Sequence, residues 1–135
     1  MARKRSTGRE RQHHGIPDLE PYLDCPADAA LGLDPLAVGW LHRNRPFPTG
    51  PVGDDFLAAL LPFCFEENLV CAVRVPRRCP LCNEIVPPVE RDGHRTLPGS
   101  GEIRVLGERN IYAAPDLIVH YITAHNYQPP REFVQ

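Results

Sequence analysis

Apolar and polar residues change their spacing several times along this 135-residue chain, and each change marks a different expectation for structure. Residues 1–15 carry almost no large apolar side chain, so burial would not offset the entropy of ordering them, and they read as a disordered tail. From 16 to 50 the prolines at 17, 21, 26, 35, 46 and 48 interrupt short apolar islands around Leu31, Leu36, Trp40 and Leu41. Loops with one or two short helical turns are expected there, with Trp40 anchoring the segment. After Gly53, Asp54 can cap a helix whose Phe56, Leu57, Leu60 and Leu61 share one face, and Pro62 should end or kink it.

Leu69 to Val75 then alternates, with Cys71, Val73 and Val75 on one side and Ala72 and Arg74 on the other, which predicts a half-buried strand. A polar connection runs from Cys82 to Gly101. Glu102–Leu106 alternates again and predicts a second strand, followed by a turn over Gly107–Asn110 and an extended Ile111-Tyr112. Pro115 suits the first position of a helix, where its missing N–H is no loss, and Asp116 would sit near the positive end of the dipole. That helix should run to about Tyr127, with Asn126 as a left-handed terminator before Pro129-Pro130. The expected fold is α+β: one small zinc-stapled domain over 16–135, with a short antiparallel sheet of two to four strands and two main helices. Within it, 16–68 is a Pro-rich segment plus a helix, and 69–135 is the zinc-binding half, which carries Cys79, Cys82, His120 and His125.

Composition supports a metal staple, because 16 Pro and 10 Gly leave few residues for regular structure in a chain of this length. The net charge of −2 hides an asymmetry. Residues 1–11 are basic, 12–71 are distinctly acidic, and 72–135 are close to neutral. The basic start has no apolar run behind it, so it is neither a secretory signal nor a membrane segment, and a cytoplasmic location is expected. In that reducing compartment five cysteines are poor evidence for disulfides.

A close cysteine pair there points instead to metal or redox chemistry. Cys79 and Cys82 place two sulfurs on one side of a tight turn, and His120 and His125, four residues apart, lie at the end of a helix. These four ligands suit one tetrahedral, structural Zn2+ better than magnesium or calcium, which require oxygen. The 37 residues between Cys82 and His120 exceed the usual gap and must be accommodated by the loop and the second strand. A redox pair is the alternative for the cysteines, although no thioredoxin-like helix follows them, and the histidines could be ordinary helix residues. His94, after Asp92-Gly93, is a substitute ligand, and Asp116, one turn before His120, could orient that imidazole. Cys25, Cys64 and Cys71 lack ligand spacing, and the last two read as buried core thiols.

The residues Glu102-Ile103-Arg104-Val105, Tyr112-Ala113-Ala114-Pro115, Leu117-Ile118, His120-Tyr121, and His125 with Tyr127, Pro129, Pro130, Glu132 and Phe133 resemble a group of small uncharacterised bacterial proteins. The resemblance covers about a quarter of the chain and implies no activity. More remotely, the cysteine knuckle, the strands and the two-histidine helix resemble an enlarged two-cysteine, two-histidine zinc finger. That resemblance implies a ββα zinc unit and, in many such fingers, DNA recognition. The helix start, Ala113-Ala114-Pro115-Asp116-Leu117-Ile118-Val119, offers no base-reading side chains in the expected places.

The expected function is a zinc-stabilised protein-interaction or regulatory module, with the acidic 16–71 segment as a surface for a basic protein partner. The alternative is a nucleic-acid-binding regulator using Arg3, Lys4, Arg5, Arg9 and Arg11, aided by Arg74, Arg77 and Arg78. A zinc hydrolase would need an open coordination position and a base such as Glu84 or Glu102. No catalytic residue is expected.

Overall fold

The elements follow from these patterns with three displacements. The computed structural model describes residues 15–134, and the expectations for the basic tail up to residue 14 lie outside the described residues. In chain order the elements are α1 (Pro26–Ala30), β1 (Leu36–Ala37), α2 (Asp54–Leu60), 3-10 turns at Leu61–Cys64 and Glu66–Asn68, β2 (Glu90–Arg91), β3 (His94–Arg95), β4 (Glu102–Leu106), β5 (Ile111–Pro115), α3 (Ile118–His125) and α4 (Arg131–Val134). The mixed α+β character is as expected. Among the described residues, no helix is long and apolar enough to cross a membrane.

β4 and β5 form an antiparallel hairpin from Glu102↔Pro115 to Leu106↔Ile111, closed by the Gly107 N–H donating to the Asn110 carbonyl at 2.8 Å. β1 joins the other edge of β5 in parallel, pairing Leu36 with Tyr112 and Ala37 with Ala113. The main sheet is therefore mixed, in the order β1-β5-β4, rather than antiparallel, while β2 and β3 form a separate hairpin. β5 is central and covered on both faces, and its Ala113 and Ala114 are fully buried. Small side chains there let Trp40 approach closely enough for its indole N–H to donate to the Ala113 carbonyl at 3.0 Å.

Trp40 does anchor the Pro-rich segment: its ring stacks on Tyr22 at 4.9 Å between centroids, within a small core that includes Ile16, Cys25, Ala37 and Ala113. The larger core lies on the other side of β5, where Ile118, Tyr121 and Ile122 of α3 pack with Val38, Leu60, Ile103 and Phe133. Asp18 ties the start of the described chain to this core. Its carboxylate accepts from the Gly39 N–H and from the hydroxyl of fully buried Tyr127, the latter at 2.9 and 3.0 Å.

Three further expectations are corrected. Leu69–Val75 is not a strand: Val70 bridges Glu102, but Cys71 takes a left-handed backbone with φ 49°, so the ladder breaks after one pair. The segment still runs beside residues 99–102, with Val73 N–H donating to Ser100 and Arg77 N–H to Gly99. Pro115 ends β5 instead of starting the helix, because pairing with Glu102 holds it extended and α3 begins three residues later. Finally, Cys71 is not a buried core thiol. It is joined to Cys25 in a disulfide with Cα atoms 6.3 Å apart. Cys64 is the buried thiol expected, and burial, with the Asp116 charge adding to it, pushes it up to about 12.

Candidate metal centre

The cysteine turn is shaped by its own backbone. The Cys79 N–H donates to the Glu84 carbonyl at 2.9 Å, and the Asn83 N–H returns to the Cys79 carbonyl at 2.8 Å. Asn83, at φ 60°, supplies the left-handed residue that closes the loop. The Leu81 N–H points at the Cys79 sulfur at 3.4 Å, but burial outweighs that donor and holds the Cys79 thiol above its ordinary range. Cys79 is fully buried and Cys82 lies at the surface, so the turn presents one sulfur inward and the other at the rim.

α3 delivers the histidines. Asn126 takes the left-handed C-cap position expected of it, at φ 58° and ψ 24°, and its N–H bonds back to the Tyr121 carbonyl. The helix therefore stops directly after His125. Five helical residues advance the backbone by about 7.5 Å, but the two imidazoles turn toward each other, with ring centroids 4.9 Å apart at 80°. His120 and His125 are half-buried. Burial, and then the charge on His125, hold His120 below the usual imidazole range and favour the neutral ring that can act as a ligand.

The two units meet: Cys79 Sγ lies 3.5 Å from His125 Nε2, and Cys82 Sγ lies 3.5 Å from His120 Nε2. All four potential ligand atoms fall within 4.8 Å of one another, so these side chains could hold a metal ion. The long gap between Cys82 and His120 contains the β2–β3 hairpin, the loop to Gly101 and the β4–β5 hairpin.

Neighbouring candidates have other work. His94 is an exposed residue of β3 that pairs with Glu67 and stacks on Phe65, so it does not join the cluster. Asp116 does not orient His120. Its carboxylate accepts from the Gly99 N–H at 2.9 Å and the Ser100 N–H at 3.2 Å, and burial pushes it up to about 6 despite those bonds. Gly99 is required at this contact, since at φ +91° a Cβ would stand 2.2 Å from the Arg77 carbonyl oxygen. Of the two bases considered, Glu84 is exposed, and Glu102 is buried and bound to Arg104.

Sequence reasoning missed a second polar cluster. Arg104 donates from Nε and Nη2 to both oxygens of Asp28, at 2.9 and 2.8 Å, and from Nη2 to Glu102 at 2.8 Å. All three side chains are nearly buried, and Arg104 also lies over the Tyr22 ring. The alternation of β4 marks Arg104 as polar, but its partner is 76 residues away and nothing in local spacing identifies it.

No curated protein and no solved structure matches this sequence. In line with the uncharacterised kinship drawn from its C-terminal quarter, the chain belongs to the family described as Domain of unknown function (DUF7919), which it matches over residues 14–135.

Proposed function

We propose that this chain is a zinc-binding interaction or regulatory module in which Cys79, Cys82, His120 and His125 hold one structural Zn2+. The observation that carries the reading is the sulfur-to-nitrogen spacing. With Zn–S near 2.3 Å and Zn–N near 2.05 Å, a tetrahedral edge between the two is about 3.6 Å, and both cross-pairs stand at 3.5 Å. Two thiolates and two imidazoles select zinc over the oxygen-seeking cations. Four protein ligands fill the coordination sphere, which suits stapling a loop to a helix end and leaves no position for a reacting water.

A protein partner fits the surface better than a nucleic acid. Val75, Ile85 and Val89 flank the cysteine turn as exposed apolar side chains. Much of the acidic charge in residues 12–71 is already engaged: Asp18 with Tyr127, Asp28 with Arg104, Glu66 with Arg95 and Glu67 with His94. Asp34, Asp54 and Asp55 remain exposed for a basic partner. The second reading is a nucleic-acid-binding regulator that uses the basic tail, Arg3, Lys4, Arg5, Arg9 and Arg11, aided by Arg74, Arg77 and Arg78, which are exposed on the approach to Cys79. It requires duplex binding that weakens steeply with salt.

Native mass spectrometry of protein purified without added metal tests the main reading. One zinc per chain, lost in both Cys82→Ser and His120→Ala, is the expected result. Zinc retained in His120→Ala, or multiple-turnover hydrolysis that follows zinc occupancy, would sink it.

A further inference from the structure

A second set of ligand-bearing side chains lies outside the Cys79 centre. The sulfurs of Cys25 and Cys71 and a carboxylate oxygen of Glu102 fall within 4.8 Å of one another. They come from three separate places: Cys25 precedes the first residue of α1, Cys71 lies on the segment beside β4, and Glu102 opens β4. The two sulfurs are joined in the structure, so the cluster is a disulfide with a buried carboxylate against it.

Three features go beyond what a stapling disulfide requires. First, Glu102 is oriented as metal-bound carboxylates are, by neighbours that hold it in place. Arg104 donates to its Oε1 at 2.8 Å, Tyr22 donates to the same carboxylate, and Arg104 is itself fixed by both oxygens of Asp28. A carboxylate has about four lone-pair positions, so these two donors leave acceptor capacity for a cation. Second, Cys71 and Glu102 both line a cavity of about 490 Å³, shared with Trp40, His42 and Arg77, which gives an ion a route inward. Third, Cys71 adopts φ 49°, a left-handed conformation unfavourable for a non-glycine residue, at the position that aims this sulfur.

The geometry also accommodates both oxidation states. Two thiolates on a tetrahedral ion with Zn–S near 2.3 Å stand about 3.8 Å apart, farther than bonded sulfurs. A Cα separation of 6.3 Å lies toward the long end of the disulfide range, so side-chain rotation can open the gap without moving the backbone far.

We propose that Cys25, Cys71 and Glu102 form a redox-gated site for a thiophilic divalent cation, best matched by Zn2+, that exists only when the disulfide is reduced. A dithiol, or two small thiols, supplies two electrons and two protons; the S–S bond breaks, two cysteine thiols form, and the reductant leaves as its own disulfide. Cation binding then expels both thiol protons and places the metal on two sulfurs and one carboxylate oxygen, with a fourth position facing the cavity for water. Transfer of two electrons to a disulfide-bearing oxidant re-forms the Cys25–Cys71 bond and releases the ion. Two sulfur ligands exclude magnesium and calcium as occupants.

The test uses the full chain, oxidised or phosphine-reduced and desalted without oxygen, titrated with Zn2+ and read by native mass spectrometry. Co2+ serves as the parallel probe, through its sulfur-to-metal absorption. The reduced wild type should hold one more ion per chain than the oxidised form. That extra ion should persist in Cys82→Ser, which removes a ligand of the centre proposed above, so the two readings fail separately. It should disappear in Cys71→Ser, and its affinity should fall at least tenfold in Glu102→Gln. Equal stoichiometry in both oxidation states, an extra ion that survives Cys71→Ser, or a reduced chain that unfolds without taking up metal would each overturn the proposal.

Discussion

Replacing Arg104 by methionine isolates the energetics of the buried polar cluster. The guanidinium makes two bonds to Asp28 and one to Glu102, with side-chain exposures of 13, 8 and 9%, so solvent cannot replace what is removed. Breaking a buried pair by deleting one partner costs about 3–5 kcal/mol, because the stranded charges are left without compensation. Losing the cation over the Tyr22 ring adds about 0.5–1 kcal/mol, and the methionine chain recovers part of the packing. A net loss of about 3 kcal/mol at pH 7.5 is expected, which lowers Tm by roughly 10–15 °C for a domain of this size.

The same variant makes a prediction about pH with a definite sign. Burial already raises the Glu102 carboxyl above its ordinary value, and Arg104 pulls it back down. Without Arg104 the folded-state value rises further above the unfolded one. A carboxyl raised in this way contributes stability that is present below its unfolded value and lost as pH rises through the folded one. The cost of Arg104→Met should therefore shrink as pH falls from 7.5 to 5. Urea unfolding at the two pH values, with Arg104→Lys as an intermediate case, measures it. A variant within about 0.5 kcal/mol of wild type at pH 7.5, or a cost independent of pH, would refute the assignment of a buried, charged cluster.

Other consequences are as direct. Tyr127→Phe removes the hydroxyl that meets both oxygens of Asp18 and should cost about 1–3 kcal/mol in equilibrium unfolding; a change under about 0.5 kcal/mol would contradict that bond. Asp116, pushed up to about 6, should draw stability out of the wild type as pH rises from 4 to 6, by up to about 3 kcal/mol. The stability difference between wild type and Asp116→Asn should fall over that range, and parallel pH profiles would show that the carboxyl does not titrate there. Gly99→Ala should destabilise by more than about 2 kcal/mol, since its Cβ meets backbone oxygen rather than a movable side chain; thermal melting near the wild-type Tm would count against the contact. Chelation of the zinc proposed at Cys79 should expose α3 to proteolysis, and fragments unchanged by chelator would argue against a stapling role.

Much of the fold was legible wherever local chemistry decides it. The β4 alternation, the Gly107–Asn110 turn and the Asn126 terminator are short-range signals, and each stands where expected. Cys79, Cys82, His120 and His125 were legible as a set because their spacing within each pair is itself a geometric statement, and the two pairs do meet. Where reading failed, a distant partner decided the outcome. Pro115 fits a helix start equally well, but pairing with Glu102 keeps it in β5. The alternation from Leu69 to Val75 is real, yet the backbone turn at Cys71 breaks the strand at its third residue. Cysteine spacing carries no pairing information across the 46 residues from Cys25 to Cys71, so the disulfide could not be read.

The tie between Asp18 and Tyr127 has a consequence for synthesis. As the chain emerges from a ribosome, β1 appears first but has no β5 to pair with, Asp28 awaits Arg104, and Asp18 awaits a tyrosine 109 residues later. The segment holding Tyr22, Trp40 and Leu41 must therefore stay exposed until nearly all of the described sequence has been made. Folding of this protein therefore waits on β4, β5 and Tyr127 rather than proceeding segment by segment, and its nascent form presents aromatic side chains of the kind that chaperones bind.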